Sequence, residues 1–179
     1  MDFGRILEQM VQFFEREKIR YAIVGALGLH AYGLSRATGD MDFLAEKHAR
    51  ESIVAFLESL GYDTLHASDG FSNHVHGLAA MGRLDFIYVG TLTADMIFKR
   101  ITKTLNFQGM AIPVPRPEHL AAMKIFAMKN DPLREYQEMA DLQFLLTLPE
   151  IDVDEVKGYF EKHGLMEKYD AIRNKLTTP

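Results

Sequence analysis

The chain of 179 residues contains no cysteine and no tryptophan. Without cysteine it has no disulfide framework, no thiolate zinc or iron–sulfur site and no Cys nucleophile. Long hydrophobic runs are also missing. The longest uncharged stretch, Tyr21 to Ser35, is interrupted by Gly25, Gly28, His30 and Gly33 and falls short of the roughly 20 apolar residues that span a bilayer. The opening Met1-Asp2-Phe3-Gly4-Arg5 lacks the basic-then-apolar order of a signal peptide. These absences predict a cytoplasmic protein without a membrane partner. With 47% hydrophobic residues, a chain of this length buries enough surface to hold a core unaided.

Charge is unevenly placed. The formal net charge is −5, from 20 Lys+Arg and 25 Asp+Glu. From Lys99 to Arg134 there are seven basic residues (Lys99, Arg100, Lys103, Arg116, Lys124, Lys129, Arg134) and two acids (Glu118, Asp131), so this segment is +5 and the remainder −10. Non-specific binding of nucleic acid over the whole surface is thereby disfavoured, while one basic face stays open as a contact.

Hydrophobic spacing predicts an α+β (α/β) protein. An amphipathic helix over 3–18 leads to a short strand at Tyr21–Val24, ended by Gly25, and to a close-packed helix over 26–32. A second strand follows at Asp40–Leu44, then a helix over 46–60 stopped by Gly61. Runs 62–67, 73–79 and 83–89 alternate as strands, with Asp69-Gly70 and Met81-Gly82 marking turns of an antiparallel meander. Thr93 is the expected cap of a helix ending near Ile101. Gln108-Gly109 divides an expected hairpin. Pro115-Arg116-Pro117 marks a boundary, after which the texture is helical: 118–129, 133–148, 153–163 and 165–176. The expected organisation is an α/β core over 1–115, followed by a helical subdomain over 116–179 packing on it.

The chemistry gathers around Arg36-Ala37-Thr38-Gly39-Asp40-Met41-Asp42-Phe43-Leu44. Successive strand side chains alternate faces, so Asp40 and Asp42 share one face about 6.5–7 Å apart, while Met41 and Phe43 face a hydrophobic layer. Two adjacent carboxylates repel, and burying them is costly unless a cation lies between them. Hard oxygen ligands suit Mg²⁺. A third acid, Asp85, sits between Leu84 and Phe86 in an otherwise apolar strand, and such a break in pattern concentrates at functional sites. If the strands pair, three carboxylates converge as two-metal phosphoryl transfer requires. A salt bridge from Asp85 to Arg83 or Arg36 is the competing reading. Gly25 at a strand-to-helix junction lets backbone N–H groups approach a phosphate, and Arg36 and Thr38 could orient it.

Strand–Gly–helix, Arg-x-Thr-x-Asp-x-Asp and a later lone Asp in an apolar strand resemble the DNA polymerase β-like nucleotidyltransferase superfamily. Within it the chain is similar to small prokaryotic abortive-infection-type, toxin-like nucleotidyltransferases. The resemblance covers roughly residues 21–89 well. Lys124, in Leu120-x-x-x-Lys124-x-x-Ala127, and Asp141, in Ala140-Asp141-Leu142, match further elements of those members. It implies a nucleotidyltransferase fold, with a small mixed β-sheet flanked by helices and a C-terminal helical segment. It also implies Mg²⁺ (or Mn²⁺), an NTP substrate, and transfer of a nucleoside monophosphate to a hydroxyl of an RNA (tRNA-like) or protein acceptor, with an antitoxin as a possible partner. On that match Asp40, Asp42 and Asp85 are catalytic and metal-binding, and Asp85 activates the acceptor. Gly25, Ala26, Arg36, Thr38, Lys124 and Asp141 form the nucleotide site, where Lys124 contacts the triphosphate and Asp141 positions Lys124 or the acceptor. One departure is Ala26, where such proteins usually have Gly or Ser after the glycine; alanine keeps the backbone donor but adds no hydroxyl. A catalytically silent binding module and a metal-dependent phosphohydrolase stay open as alternatives. His74-x-His76, with no third ligand nearby, is expected on a polar strand face near the substrate mouth rather than in a zinc site. Arg134 and Glu138 are expected as an i,i+4 pair on a solvated helix face.

Overall fold

The structure, a computed structural model, describes residues 2–177. Helix α1 (Phe3–Arg16) starts where the Asp2 carboxylate accepts from the Arg5 N–H at 3.2 Å. It buries Ile6, Leu7, Met10, Phe13 and Phe14, the stripe its sequence spacing predicts. Strand β1 (Tyr21–Ile23), short helix α2 (Gly25–His30) and strand β2 (Asp40–Glu46) follow. A 3₁₀ turn (Lys47–Ala49) precedes α3 (Arg50–Ser59), so the helix expected from residue 46 begins later, because β2 continues through Glu46. Strands β3 (Tyr62–Ala67), β4 (Phe71–His76) and β5 (Arg83–Val89) form the expected meander.

The sheet order is β1-β2-β5-β4-β3. Only β2 and β5 run parallel; the other neighbours are antiparallel, so the sheet is mixed. The parallel register sets Met41 beside Leu84 and Phe43 beside Phe86. These side chains are buried on the face that α1 covers. Phe14 meets Phe43 edge-on at 5.6 Å and Phe86 at 6.4 Å, and stacks on Tyr21 at 4.2 Å. Each such ring contributes roughly 1.5–3 kcal/mol by burial. The same layer fixes strand register, because a one-residue slip would turn every core ring to the opposite face.

After β5, α4 (Thr91–Phe98) is capped by Gly90. Thr93 therefore lies inside the helix rather than capping it, since the chain is already helical at Thr91. Strands β6 (Lys103–Phe107) and β7 (Met110–Val114) make the expected hairpin. Gln108 and Gly109, at φ 48° and 83°, give the left-handed pair that a two-residue hairpin turn favours.

Contacts divide the chain into two compact units, meeting in sequence at Pro115 and Arg116. The second unit contains α5 (Pro117–Asn130), a 3₁₀ turn (Pro132–Arg134), α6 (Glu135–Leu145), α7 (Val153–His163) and α8 (Met166–Thr177). Within it Glu118, at the start of α5 and almost fully buried, accepts the Asp152 N–H at 2.7 Å and pairs with Arg116 at 3.0 Å. This ties the start of α5 to the start of α7. Gly164, at φ 69°, ends α7 in the left-handed conformation that its lack of a side chain allows. Among the described residues no helix is long and apolar enough to cross a membrane.

Candidate active site

The parallel pairing of β2 and β5 sets Asp42 directly beside Asp85, with Asp40 two residues earlier on the same face. One carboxylate oxygen from each of Asp40, Asp42 and Asp85 lies within 4.8 Å of the others, and all three side chains are half-buried. The open face of the sheet thus carries the three acids, opposite the aromatic layer under α1.

The neighbours of each acid are specific. The Thr38 hydroxyl donates to Asp40 Oδ1. Asp85 Oδ1 accepts from Asn73 Nδ2 at 2.8 Å and from Arg83 Nε at 2.9 Å. Hydrogen bonding to Asp85 holds the Arg83 guanidinium above its ordinary pKa, and Asp40 and Asp42 add to the effect. The two readings of Asp85 therefore coexist, because the residue belongs to the cluster and is also bridged to Arg83. Asn73 had no signal in the sequence; only the β4–β5 register, which sets it opposite Asp85, reveals it.

Gly25 fits against Asp42. Its φ is +57°, and a Cβ there would lie 1.9 Å from Asp42 Oδ2. The Val24 N–H donates to the Asp42 carbonyl at 2.9 Å, which draws the β1–α2 junction onto β2. The first N–H groups of α2, from Gly25 and Ala26, have no intrahelical acceptor and start beside the carboxylate cluster. Ala26 is buried, whereas Arg36 and Thr38 are half-buried in the loop before β2.

Lys124 and Asp141 lie in the second unit, and there the structure brings them together. Lys124 is 7% exposed, and its ammonium donates to Glu138 at 2.9 Å and to Asp141 at 2.5 Å. Glu138 also pairs with Arg134 at 2.6 Å. The Arg134–Glu138 pair exists as expected, but Glu138 is fully buried rather than on a solvated face. The cause is Lys124, whose charge makes burial of two nearby acids tolerable. Glu138 is the member of this cluster that sequence reading placed on the surface. Its position three residues before Asp141, on one helix face, was the available signal.

His74 departs from expectation. It is fully buried beneath β4, on the face opposite Asn73 and Asp85, and its ring meets Phe86 edge-on at 5.9 Å. Its ring nitrogens contact Ser72 Oγ at 2.7 Å and Thr64 Oγ1 at 3.2 Å. Burial holds its pKa below the usual 6.5. A neutral histidine inside a hydrogen-bonded chain, not a polar wall near a substrate, is what this strand carries. Elsewhere, a cavity of about 430 Å³ is lined by Lys47, Arg50, Asp69, Gly90 and Thr91 among others, and by none of the candidate site residues.

No family model and no curated protein matches the sequence. Solved structures do resemble it. The antibiotic-resistance factor ANT(2'')-Ia superposes with a TM-score of 0.67 at 14% identity, over 98% of each chain. The lincosamide antibiotic adenylyltransferase LnuA, with lincomycin bound, gives 0.56 at 18% identity, over 80% of this chain and 96% of that one. An antigenic nucleotidyltransferase-like protein from Paracoccidioides brasiliensis gives 0.57 at 14% identity, over 96% and 92%. At these identities the likeness establishes the fold. The chain has the nucleotidyltransferase fold, with the mixed sheet and helical last part that its motifs imply.

Proposed function

We propose that this protein is a metal-dependent nucleotidyltransferase, moving a nucleoside monophosphate from an NTP to an acceptor hydroxyl. The observation that carries the reading is the convergence of Asp40, Asp42 and Asp85 within 4.8 Å on one sheet face, with a glycine held so close to Asp42 that no side chain fits.

The donor set fits a hard divalent cation. Three carboxylates supply only oxygen ligands, and their mutual repulsion favours bound positive charge. Mg²⁺ held by Asp40, Asp42 and Asp85 would neutralise the triphosphate and stabilise charge developing at the transferred phosphoryl group. The protein's own groups account for the remaining requirements. Backbone N–H groups of Gly25 and Ala26 bind phosphate oxygens at the start of α2. Thr38 holds the Asp40 carboxylate in place, and Arg36, half-buried in the same loop, is the cation assigned to the phosphates. Asp85 receives the proton of the acceptor hydroxyl, while Asn73 and Arg83 fix which of its oxygens remains available. The acceptor oxygen forms a bond to the α-phosphorus as the bond to the pyrophosphate oxygen breaks, and pyrophosphate leaves. In the second unit, Glu138 and Asp141 fix the position of the Lys124 ammonium.

The acceptor is a hydroxyl of an RNA or a protein, with toxin activity opposed by an antitoxin as the biological setting that the sequence resemblance suggests. One observation favours a second reading. Ala26 offers no hydroxyl to a phosphate, which suits a nucleotide-binding module without turnover. Incubation with Mg²⁺, each NTP and cellular RNA and protein tests the proposal. The expected result is pyrophosphate release matched by an acceptor-linked nucleotide. Phosphate release with no linked product identifies a phosphohydrolase instead, and nucleotide binding without either product identifies the silent module.

A further inference from the structure

The sheet face that bears the three carboxylates does not stop at Asp85. Asn73, hydrogen-bonded to Asp85, shares its face with Phe71 and Val75, two residues to either side on β4. Phe71 is the register partner of Ile87, and His66 on β3 is the partner of Asn73. The rings of His66 and Phe71 stack at 4.6 Å and 18°, with His66 exposed and Phe71 47% exposed. In the other direction along β5, Arg83 lies two residues before Asp85. Among the described residues only its Nε is engaged, with Asp85, and its side chain is 48% exposed.

We propose that this part of the face is an acceptor platform for the unpaired 3′ end of an RNA. A phosphate lies at Arg83, the terminal sugar hydroxyl at Asp85, and a base on the Phe71–His66 ring pair. The proposal rests on the transferase reading and adds the chemical class of its acceptor. In an in-line displacement the attacking and leaving oxygens lie on opposite sides of phosphorus. Gly25 stands on the β1 side of Asp42, and sheet order places β5, β4 and β3 on the other side. With the triphosphate at Gly25, the acceptor therefore enters over β4 and β3.

Spacing suits one nucleotide. Arg83 and Ile87 lie about 6.5–7 Å from Asp85 along the strand, and Phe71 is one strand spacing of roughly 4.8 Å beyond Ile87. Phosphate, ribose and base thus meet a guanidinium, a carboxylate and an aromatic pair in that order. Stacking on an exposed ring accepts any base, and the fork of an arginine matches phosphate oxygens. A polycationic acceptor would need carboxylates to spare; Asp40, Asp42 and Asp85 are committed to the cation, and beyond them the acceptor side of the face offers Arg83, with Asp63 only at the far edge opposite Val75. A protein hydroxyl brings no base for the rings. The chemical step is unchanged: the RNA 3′ oxygen bonds to the α-phosphorus, its proton passes to Asp85, and pyrophosphate departs.

The test uses the full chain and a short fluorescent unpaired RNA with a free 3′ hydroxyl, titrated by anisotropy without NTP or metal. Phe71→Ala should weaken binding about tenfold, the effect of removing one stacking ring, and Phe71→Tyr should restore it. In label-transfer assays Phe71→Ala should raise KM for the RNA with little change in kcat. Unchanged RNA affinity in Phe71→Ala overturns the platform, as does a labelled acceptor that is protein and insensitive to that substitution. Failure of the underlying reading looks different. In that case the wild type transfers nothing to any acceptor, yet Phe71→Ala still loses RNA, which upholds the platform as an RNA site.

Discussion

At position 25 the geometry admits one residue. A Cβ on Gly25 would overlap the Asp42 carboxylate, and the left-handed backbone there costs other residues roughly 1–2 kcal/mol. Gly25→Ala should therefore lower stability by at least about 1 kcal/mol in urea unfolding and cut nucleotide transfer more than tenfold by displacing Asp42. Equal transfer by the variant would remove Gly25 from the site. Lys124 offers the complementary case. It is the cation between two buried acids, Glu138 and Asp141; Glu138 keeps Arg134 without it, so its loss costs only part of the roughly 3–5 kcal/mol lost when a buried pair is broken. Lys124→Met should lower the unfolding free energy by at least about 1 kcal/mol, read as a lower urea midpoint at unchanged m. An unchanged midpoint would show that the cluster does not hold its helices together.

Among the elements, β4 carries different chemistry on its two faces. Toward the open side it presents Asn73 to Asp85; toward α1 it buries Ser72 and His74. Thr64 donates to Glu58 at 2.8 Å, so its oxygen is left to accept from His74 Nδ1, and Ser72 then donates to Nε2. The Ser72–Tyr88 contact at 2.7 Å extends this chain to β5. Protonating His74 at Nε2 would make that nitrogen a donor and force the Ser72 hydroxyl to reverse. Because burial lowers its folded pKa below 6.5, the unfolded state binds the proton more readily. The neutral form's stabilisation is complete above about pH 6.5 and is lost as the pH falls through the folded value. Unfolding free energies measured from pH 7.5 to 5 should fall more steeply in the wild type than in His74→Gln, and parallel slopes would refute the assignment. The sequence made the order and type of elements legible, along with the carboxylates, because alternation and helical spacing are local signals. It could not show that β2 and β5 lie side by side, which is a long-range pairing, and so Asn73 stayed hidden. Nor could it separate a buried His74 from an exposed one, since both occupy alternate strand positions.

Over the whole molecule, charge changes meaning once partners are known. The +5 segment from Lys99 to Arg134 does not present all of its charge to solvent, because Lys124 is buried between acids and Arg116 is paired with Glu118 and Glu155. Conversely, three of the acids behind the net charge of −5 are gathered at one place. A ligand that binds only the folded state stabilises it by about 2.7 kcal/mol at a hundred times its Kd. Saturating Mg²⁺ should then raise the Tm by about 5 °C or more, reversibly with a chelator, and Asp42→Asn should abolish the shift. The same rise in Asp42→Asn would place the metal elsewhere. The most direct test of the central claim is transfer itself: label from an α-labelled NTP followed into acceptor, in wild type and Asp42→Asn, with both melting curves recorded. Catalysis at the Asp40–Asp42–Asp85 cluster predicts that the variant loses label transfer while its Tm without metal stays within about 2 °C. Undiminished labelling by Asp42→Asn would contradict it.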